Sequence, residues 1–149
     1  MKIKLISIAV AAAFALAGTV QAQTTTQRQV KNADEDRIEA EYKAARERCD
    51  PMTGNAKDIC QKEAKGKEKI AKAELEAKTN PTAANQRKVQ EAKADAAYDV
   101  ARERCDDKKA NDKDVCQKDA KAAHERAMAD IKRADAKSAG TGSTKATTK

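Results

Sequence analysis

The chain has 149 residues, 37% of them charged and 2% aromatic, with one histidine, no tryptophan and a net charge of +7. That composition argues against a globular enzyme, which needs a pocket where perturbed groups converge, and no Gly-rich phosphate loop is present. Scarce Leu, Ile, Val and Phe with high charge border on disorder. The abundant Ala, Lys, Arg, Glu and Gln are the strongest helix formers, so the expectation is long, thin helices.

Lys2 and Lys4 precede an apolar run from Leu5 to Ala17, too short to span a bilayer, and Val20-Gln21-Ala22 places small residues where a signal peptidase cuts. Residues 1–22 therefore read as a signal peptide cleaved after Ala22, rather than as an uncleaved anchor. The implied product is a periplasmic chain with no transmembrane span after cleavage. Loss of Lys2 and Lys4 leaves 29 basic against 24 acidic side chains, a net of +5. The two signs are interspersed. Glu39–Lys43, Glu63–Lys67, Glu68–Lys72, Glu74–Lys78 and Asp114–Lys118 fall at i, i+4 in the favourable order, as on a solvated helix surface.

Residues 23–33 form a Thr/Gln-rich, flexible lead. Helical periodicity starts near Asp34, with Ile38, Tyr42, Ala45 and Cys49 on one stripe, and stops at Asp50-Pro51 because the residue before proline resists the α conformation. Met52-Thr53-Gly54 reads as a turn. Asn55 is the candidate cap of a second helix, with Asp58 completing an approximate capping box. Its stripe holds Ile59, Cys60, Ala64, Ala71 and Leu75. Thr79-Asn80-Pro81 ends that helix, with Asn80 as cap and Pro81 in the first position of the third. The third runs to about Asp106 through Val89, Ala96, Val100, Ala101 and Cys105. A fourth, from about Asn111 to Lys137, carries Val115, Cys116, Ala120, Ala123, Ala127 and Ile131. Residues 138–149 are a basic, disordered Gly/Ser/Thr tail.

The chain repeats itself. RERCDPMTGNAKDICQKEAK, Arg46 to Lys65, returns 56 residues later as RERCDDKKANDKDVCQKDAK, Arg102 to Lys121. Four cysteines in an exported chain favour disulfides, and their ten-residue spacing does not match the close pairs of structural zinc sites. Along an unbroken helix, Cys49 and Cys60 would stand roughly 16 Å apart, beyond the ~4.4–6.8 Å Cα separation a bridge requires. A Cys49–Cys60 bridge therefore demands a hairpin, and Pro51 and Gly54 supply the turn. The second copy has lost both, so a hairpin by analogy competes with one continuous helix across residues 106–111. Cys49–Cys60 with Cys105–Cys116 is the favoured pairing. The rival links the two units, as in twin C-x9-C hairpins. The expected fold is all-α: two consecutive disulfide-stapled αα-hairpins over residues 34–80 and 81–137, elongated or loosely bundled, with disordered ends. Each closed loop stabilises by up to about 3 kcal/mol, which matters where alanine seams bury little area.

Tyr42 and Tyr98, at equivalent positions seven residues before each first cysteine, are candidate partner contacts, set against a plain packing role beside the disulfides. His124 reads as an exposed bystander, and no catalytic, cofactor or metal residue is assigned. The pattern Tyr42…Cys49-Asp50…Gly54-Asn55-Ala56-Lys57-Asp58…Cys60…Ala64-Lys65, echoed from Tyr98 to Lys121, resembles small exported Ala/Lys-rich proteins of Gram-negative bacteria. These are sometimes labelled TolA-like or cell-envelope biogenesis proteins. The resemblance implies an envelope association without a mechanism. The expected partner is an envelope protein or, alternatively, an anionic polymer or lipid surface; nucleic acid is not expected, since carboxylates dilute the basic field and stacking groups are scarce.

Overall fold

The computed structural model describes the backbone of residues 19–142 and the side chains of residues 30–138. Residues 1–18 of the expected signal peptide and residues 143–149 of the expected tail lie outside the described residues. Among the described residues, four α-helices follow one another: α1 Thr19–Glu47, α2 Gly54–Thr79, α3 Ala83–Arg104 and α4 Ala110–Gly142, with a short 3₁₀ turn, Cys105–Asp107, after α3. The fold is all-α. α1 starts ahead of the expected Asp34, so residues 23–33 continue the helix, and α4 runs past Lys137. No proline interrupts either stretch, and an established helix gains one hydrogen bond for each residue added.

Both disulfides join the cysteines within one repeat. Cys49–Cys60 has a Cα separation of 5.7 Å and Cys105–Cys116 one of 5.6 Å. The pairing that would link the two units is therefore excluded, as is thiolate coordination of zinc. The continuous-helix alternative for the second copy is excluded too, because the chain folds back through the 3₁₀ turn and restarts at Ala110.

Two expected caps are corrected. Thr53 occupies the N-cap position of α2, and Gly54 opens the helix with φ +58°, a left-handed conformation that glycine adopts without penalty. Asn55 lies inside the first turn and sends its amide to the Glu103 carbonyl, 3.0 Å away on α3. Between α2 and α3, Asn80 is the C-cap of α2 while Thr82 caps α3, its hydroxyl accepting from the Asn85 N–H at 3.1 Å. Pro81 stays in the turn. The Asn85 amide donates to the Asn80 carbonyl at 2.8 Å, and this buried side chain closes the connection.

Among the described residues, extensive packing occurs only between helices adjacent in the chain, and α2 against α3 is the largest seam. On α2, Ala64, Glu68, Ala71 and Leu75 follow helical spacing along one side, and the first three line a groove shared with Ile38 and Tyr42 of α1. Gly66 and Ile70 lie on the other side, where Gly66 touches Ala96 of α3. α3 likewise turns Val89 and Ala96 inward and reaches α4 with Asp95 and Arg87. Among the described residues, the four helices thus form a single antiparallel layer, with two broad faces and two open edges. The two hairpins do pack together, through α2 and α3.

The core is thin: Ile38, Ala64, Leu75, Val89, Ala96, Ala120 and the fully buried Cys49 and Cys105. The expected stripes hold for α1 to α3, but Val115 of the fourth is 55% exposed. Gly66 permits close approach, since a Cβ there would stand 2.8 Å from the Ala96 Cβ. Ion pairs stitch the seams. Lys31–Glu76 at 3.3 Å and Lys78–Asp34 at 3.0 Å join α1 to α2. Arg104–Glu63 and Lys93–Glu74, both 2.8 Å, with Lys69–Asp99 at 3.6 Å and Lys62–Glu103 at 3.8 Å, join α2 to α3. Arg87–Asp135 at 2.7 Å joins α3 to α4. Glu63, Glu74 and Lys78, expected in local surface pairs, therefore reach across to neighbouring helices.

Candidate functional site

The repeat places Tyr42 and Tyr98 in corresponding seams, one in each stapled hairpin, and both rings are half-buried. Tyr42 lies on α1 between the buried Ile38 and Cys49. The Lys65 ammonium from α2 sits 5.1 Å from its ring centroid, and Arg46 approaches its hydroxyl at 3.5 Å. That contact with Tyr42 is the main reason the Arg46 guanidinium is held above its ordinary pKa.

Beside the ring lies Glu68, a carboxylate that is 8% exposed in a layer with few buried groups of any kind. Burying a charge is costly unless it is paired. Lys65 at 2.8 Å and Lys72 at 2.6 Å satisfy it, one from each neighbouring helical turn. Their hydrogen bonds hold the Glu68 carboxyl below its ordinary value, against the opposing effect of burial. The Lys65 ammonium is raised in turn by the same bond to Glu68. A groove of about 240 Å³ opens next to this cluster, with Ile38, Ala45, Ala64 and Ala71 as apolar lining and Arg48, Lys67 and Glu68 as charged lining. It suits one apolar side chain of a partner flanked by polar groups.

The second hairpin builds the equivalent place differently. The repeat sets His124 where the first copy has Glu68. His124 stacks on Tyr98, ring centroids 4.8 Å apart and 27° between planes, and its Nε2 lies 2.7 Å from Asp95 Oδ1. Arg102 stands 5.9 Å from the centroid of the same Tyr98 ring. The expectation that His124 is an exposed bystander is therefore corrected: its side chain is 23% exposed and tied to both α3 residues. Tyr98 packs through this stack, and Tyr42 through Lys65 and the groove.

The expected Glu68–Lys72 pair is present at 2.6 Å, but its carboxylate is buried instead of solvated, and Asn85, the other buried polar side chain among the described residues, was missed. A signal existed for the burial of Glu68, which continues the Ala64–Ala71–Leu75 stripe with lysines three residues before and four after. Among the described residues, no group of three or more His, Cys, Asp or Glu side chains could hold a metal ion, and no helix is long and apolar enough to cross a membrane. No protein-family description, curated protein or solved structure matches this chain.

Proposed function

We propose that the chain is a non-enzymatic, exported helical protein of the cell envelope, with a structural or protein-docking role. The observation that carries this reading is the enclosure of two disulfides in a one-layer helical array whose core is too thin to do without them. Such staples form and persist in oxidising compartments, which agrees with the signal-like start of the sequence and with a periplasmic location. The resemblance to exported Ala/Lys-rich proteins points the same way. Tyr42 and Tyr98 are the proposed partner contacts: half-buried rings that keep one edge available beside charged groups, a type of residue favoured at protein interfaces. Docking to protein is preferred over binding an anionic surface, because most of the seam lysines and arginines already face carboxylates.

The test is expression from Met1 in a Gram-negative host, with a photo-crosslinking amino acid at Tyr42 or Tyr98 and, as controls, at the exposed Ala56 or Lys88. Recovery from the periplasm with Gln23 at the N-terminus, and adducts to another envelope protein from the tyrosine positions alone, support the reading. A cytoplasmic chain that keeps Met1, or equal labelling from all four positions, overturns it.

A further inference from the structure

The layer ends at two open edges, the outer side of α1 and the outer side of α4. The repeat fixes what each edge resembles. A 56-residue shift maps α2 onto α4 and α1 onto α3. The outer side of α4 thus corresponds to the side of α2 that holds α3, and the outer side of α1 to the side of α3 that holds α2. From this correspondence we infer that the chain self-associates head to tail, α4 of one copy packing antiparallel on α1 of the next as α2 packs on α3.

Charge complementarity carries the inference. In the seam within one copy, Arg104 meets Glu63 at 2.8 Å; between copies, the shift sets Arg48 opposite Asp119. Lys93–Glu74, also 2.8 Å, becomes Arg37 opposite Asp130. Lys62–Glu103 at 3.8 Å becomes Lys118 opposite Glu47. Lys69–Asp99 at 3.6 Å becomes Glu125 opposite Lys43, with both signs exchanged and attraction kept. Four of four pairs stay opposite in charge, although the two faces in question do not touch within one chain. Glu125, Arg37 and Asp130 also pair along their own helices, with Lys121, Asp34 and Arg133, so the inference rests on the four correspondences taken together.

The uncharged contacts follow the same rule. Asn55, whose amide bonds the Glu103 carbonyl at 3.0 Å, corresponds to Asn111, which is exposed and would face the Glu47 carbonyl of the next copy. Val115, 55% exposed, stands where the first hairpin has the half-buried Ile59. The close Gly66–Ala96 contact becomes Ala122 opposite Ala40. With a Cβ on each side, the helices settle at an ordinary Cβ contact of 3.4–4 Å, wider than the approach that Gly66 allows. The copy–copy seam is therefore looser than α2–α3, and it lacks the short covalent turn that gives the internal seam a high effective concentration. A heterologous contact of this kind grows as an open chain unless its rotation closes a ring. Its ionic character makes it weaken with salt.

This inference extends the structural reading above and can fail without it, since a monomer could still dock through its tyrosines. The experiment uses the purified chain with both disulfides intact, mixed from light- and heavy-isotope preparations. Sedimentation velocity across a concentration series at low and high ionic strength reads association, and a zero-length carbodiimide reads contacts. Expected are growing species at low salt, and inter-copy links Lys118–Glu47 and Lys43–Glu125. The pair Asp119→Lys with Asp130→Lys raises the dissociation constant by roughly tenfold or more, as does Arg48→Glu with Arg37→Glu. An equal mixture of these two variants associates again, because each reversed edge finds its complement. A chain that stays monomeric at every concentration and ionic strength overturns the inference. So do links that join α4 to α4, or a mixture that fails to recover.

Discussion

The first hairpin closes its turn with Pro51 and with Gly54 in a left-handed conformation, φ +58°. The second has no proline in its turn, passes through a 3₁₀ turn, and places Ala110 at the equivalent position with φ 44°. One copy is a turn by local sequence, with a disulfide added. The other lacks those local turn residues and is closed by its disulfide together with the α3–α4 contacts Arg87–Asp135 and His124–Asp95. The same division appears in the seams, where Glu68 is clamped by two lysines in the first hairpin and His124 stacks on Tyr98 in the second. Equal cysteine spacing thus supports two different balances between local propensity and covalent constraint.

Breaking the staples separates these cases most strongly. Removing either disulfide costs about 3 kcal/mol. Cys105→Ser with Cys116→Ser does more than destabilise, because nothing in Asp106 to Asn111 prevents α3 and α4 from joining into one helix. For that variant the expected outcome is a melting temperature lower by about 10 °C, retained far-ultraviolet helicity, and a larger radius of gyration by small-angle scattering. Cys49→Ser with Cys60→Ser loses comparable stability but stays folded back at Pro51, with little change in radius. Equal dimensions for the two variants would show that the second turn is locally encoded after all.

Next in size is the spacing of the central seam. Gly66→Ala gains about 1 kcal/mol of helix propensity, yet its Cβ meets the Ala96 Cβ at 2.8 Å. That contact is between two main-chain-anchored atoms with no flexible end to yield, so α2 and α3 must separate, at a cost of about 1–3 kcal/mol. We expect a net loss in urea denaturation. Ala122→Gly, at the equivalent place on α4, which no further helix of the same copy covers, loses about 1 kcal/mol through propensity alone when measured on the single copy. A stabilised Gly66→Ala chain would mean that the seam is softer than its geometry.

Smaller again is the buried carboxylate. Because Lys65 and Lys72 are half-exposed, Glu68→Gln is expected to cost only about 1 kcal/mol at neutral pH. The folded Glu68 carboxyl is held below its ordinary value of 4.5. Its contribution is therefore complete above that value and is lost as the pH falls through the lower, folded one. Urea midpoints of the native and Glu68→Gln chains should differ at pH 7 and converge in stronger acid. His124→Ala, its counterpart, removes the Tyr98 stack, worth about 0.5–1.5 kcal/mol, a coupling that a double-mutant cycle with Tyr98→Leu would isolate.

The four-helix layout and the disulfide pairing were legible in the sequence because periodic alanines, Pro51 and the ten-residue cysteine spacing are local signals. The cross-helix contacts were not. Glu63, Glu74 and Lys78 sit at i, i+4 distances that suit local pairs, and only the seam geometry sends them to other helices. Asn55 resembles a cap by composition, yet Gly54 starts the helix one residue earlier and frees its amide to reach Glu103. His124 was hidden for a similar reason, since its partners Tyr98 and Asp95 are more than 25 residues away. The layer arrangement depends on which sides of α2 and α3 are used, and single stripes do not show that both sides are.

The subtlest test of the comparison is the left-handed residue itself. At φ 44° the Ala110 Cβ crowds the following carbonyl, a conformation that costs an L-residue roughly 1–2 kcal/mol. Glycine relieves that strain but gives back unfolded-state entropy, so Ala110→Gly is expected to stabilise the second hairpin by only about 0.5–1 kcal/mol. Gly54→Ala should destabilise the first by a similar amount, and no other atom lies within 4 Å of where its Cβ would stand, so the effect is purely of the backbone. Measured with the disulfides intact, the two changes should be opposite in sign. Measured after reduction, Ala110→Gly should gain a second effect, because glycine also disfavours the continuous helix that competes with the turn. If Ala110→Gly destabilises in both states, the left-handed turn is not the conformation that the second hairpin keeps in solution.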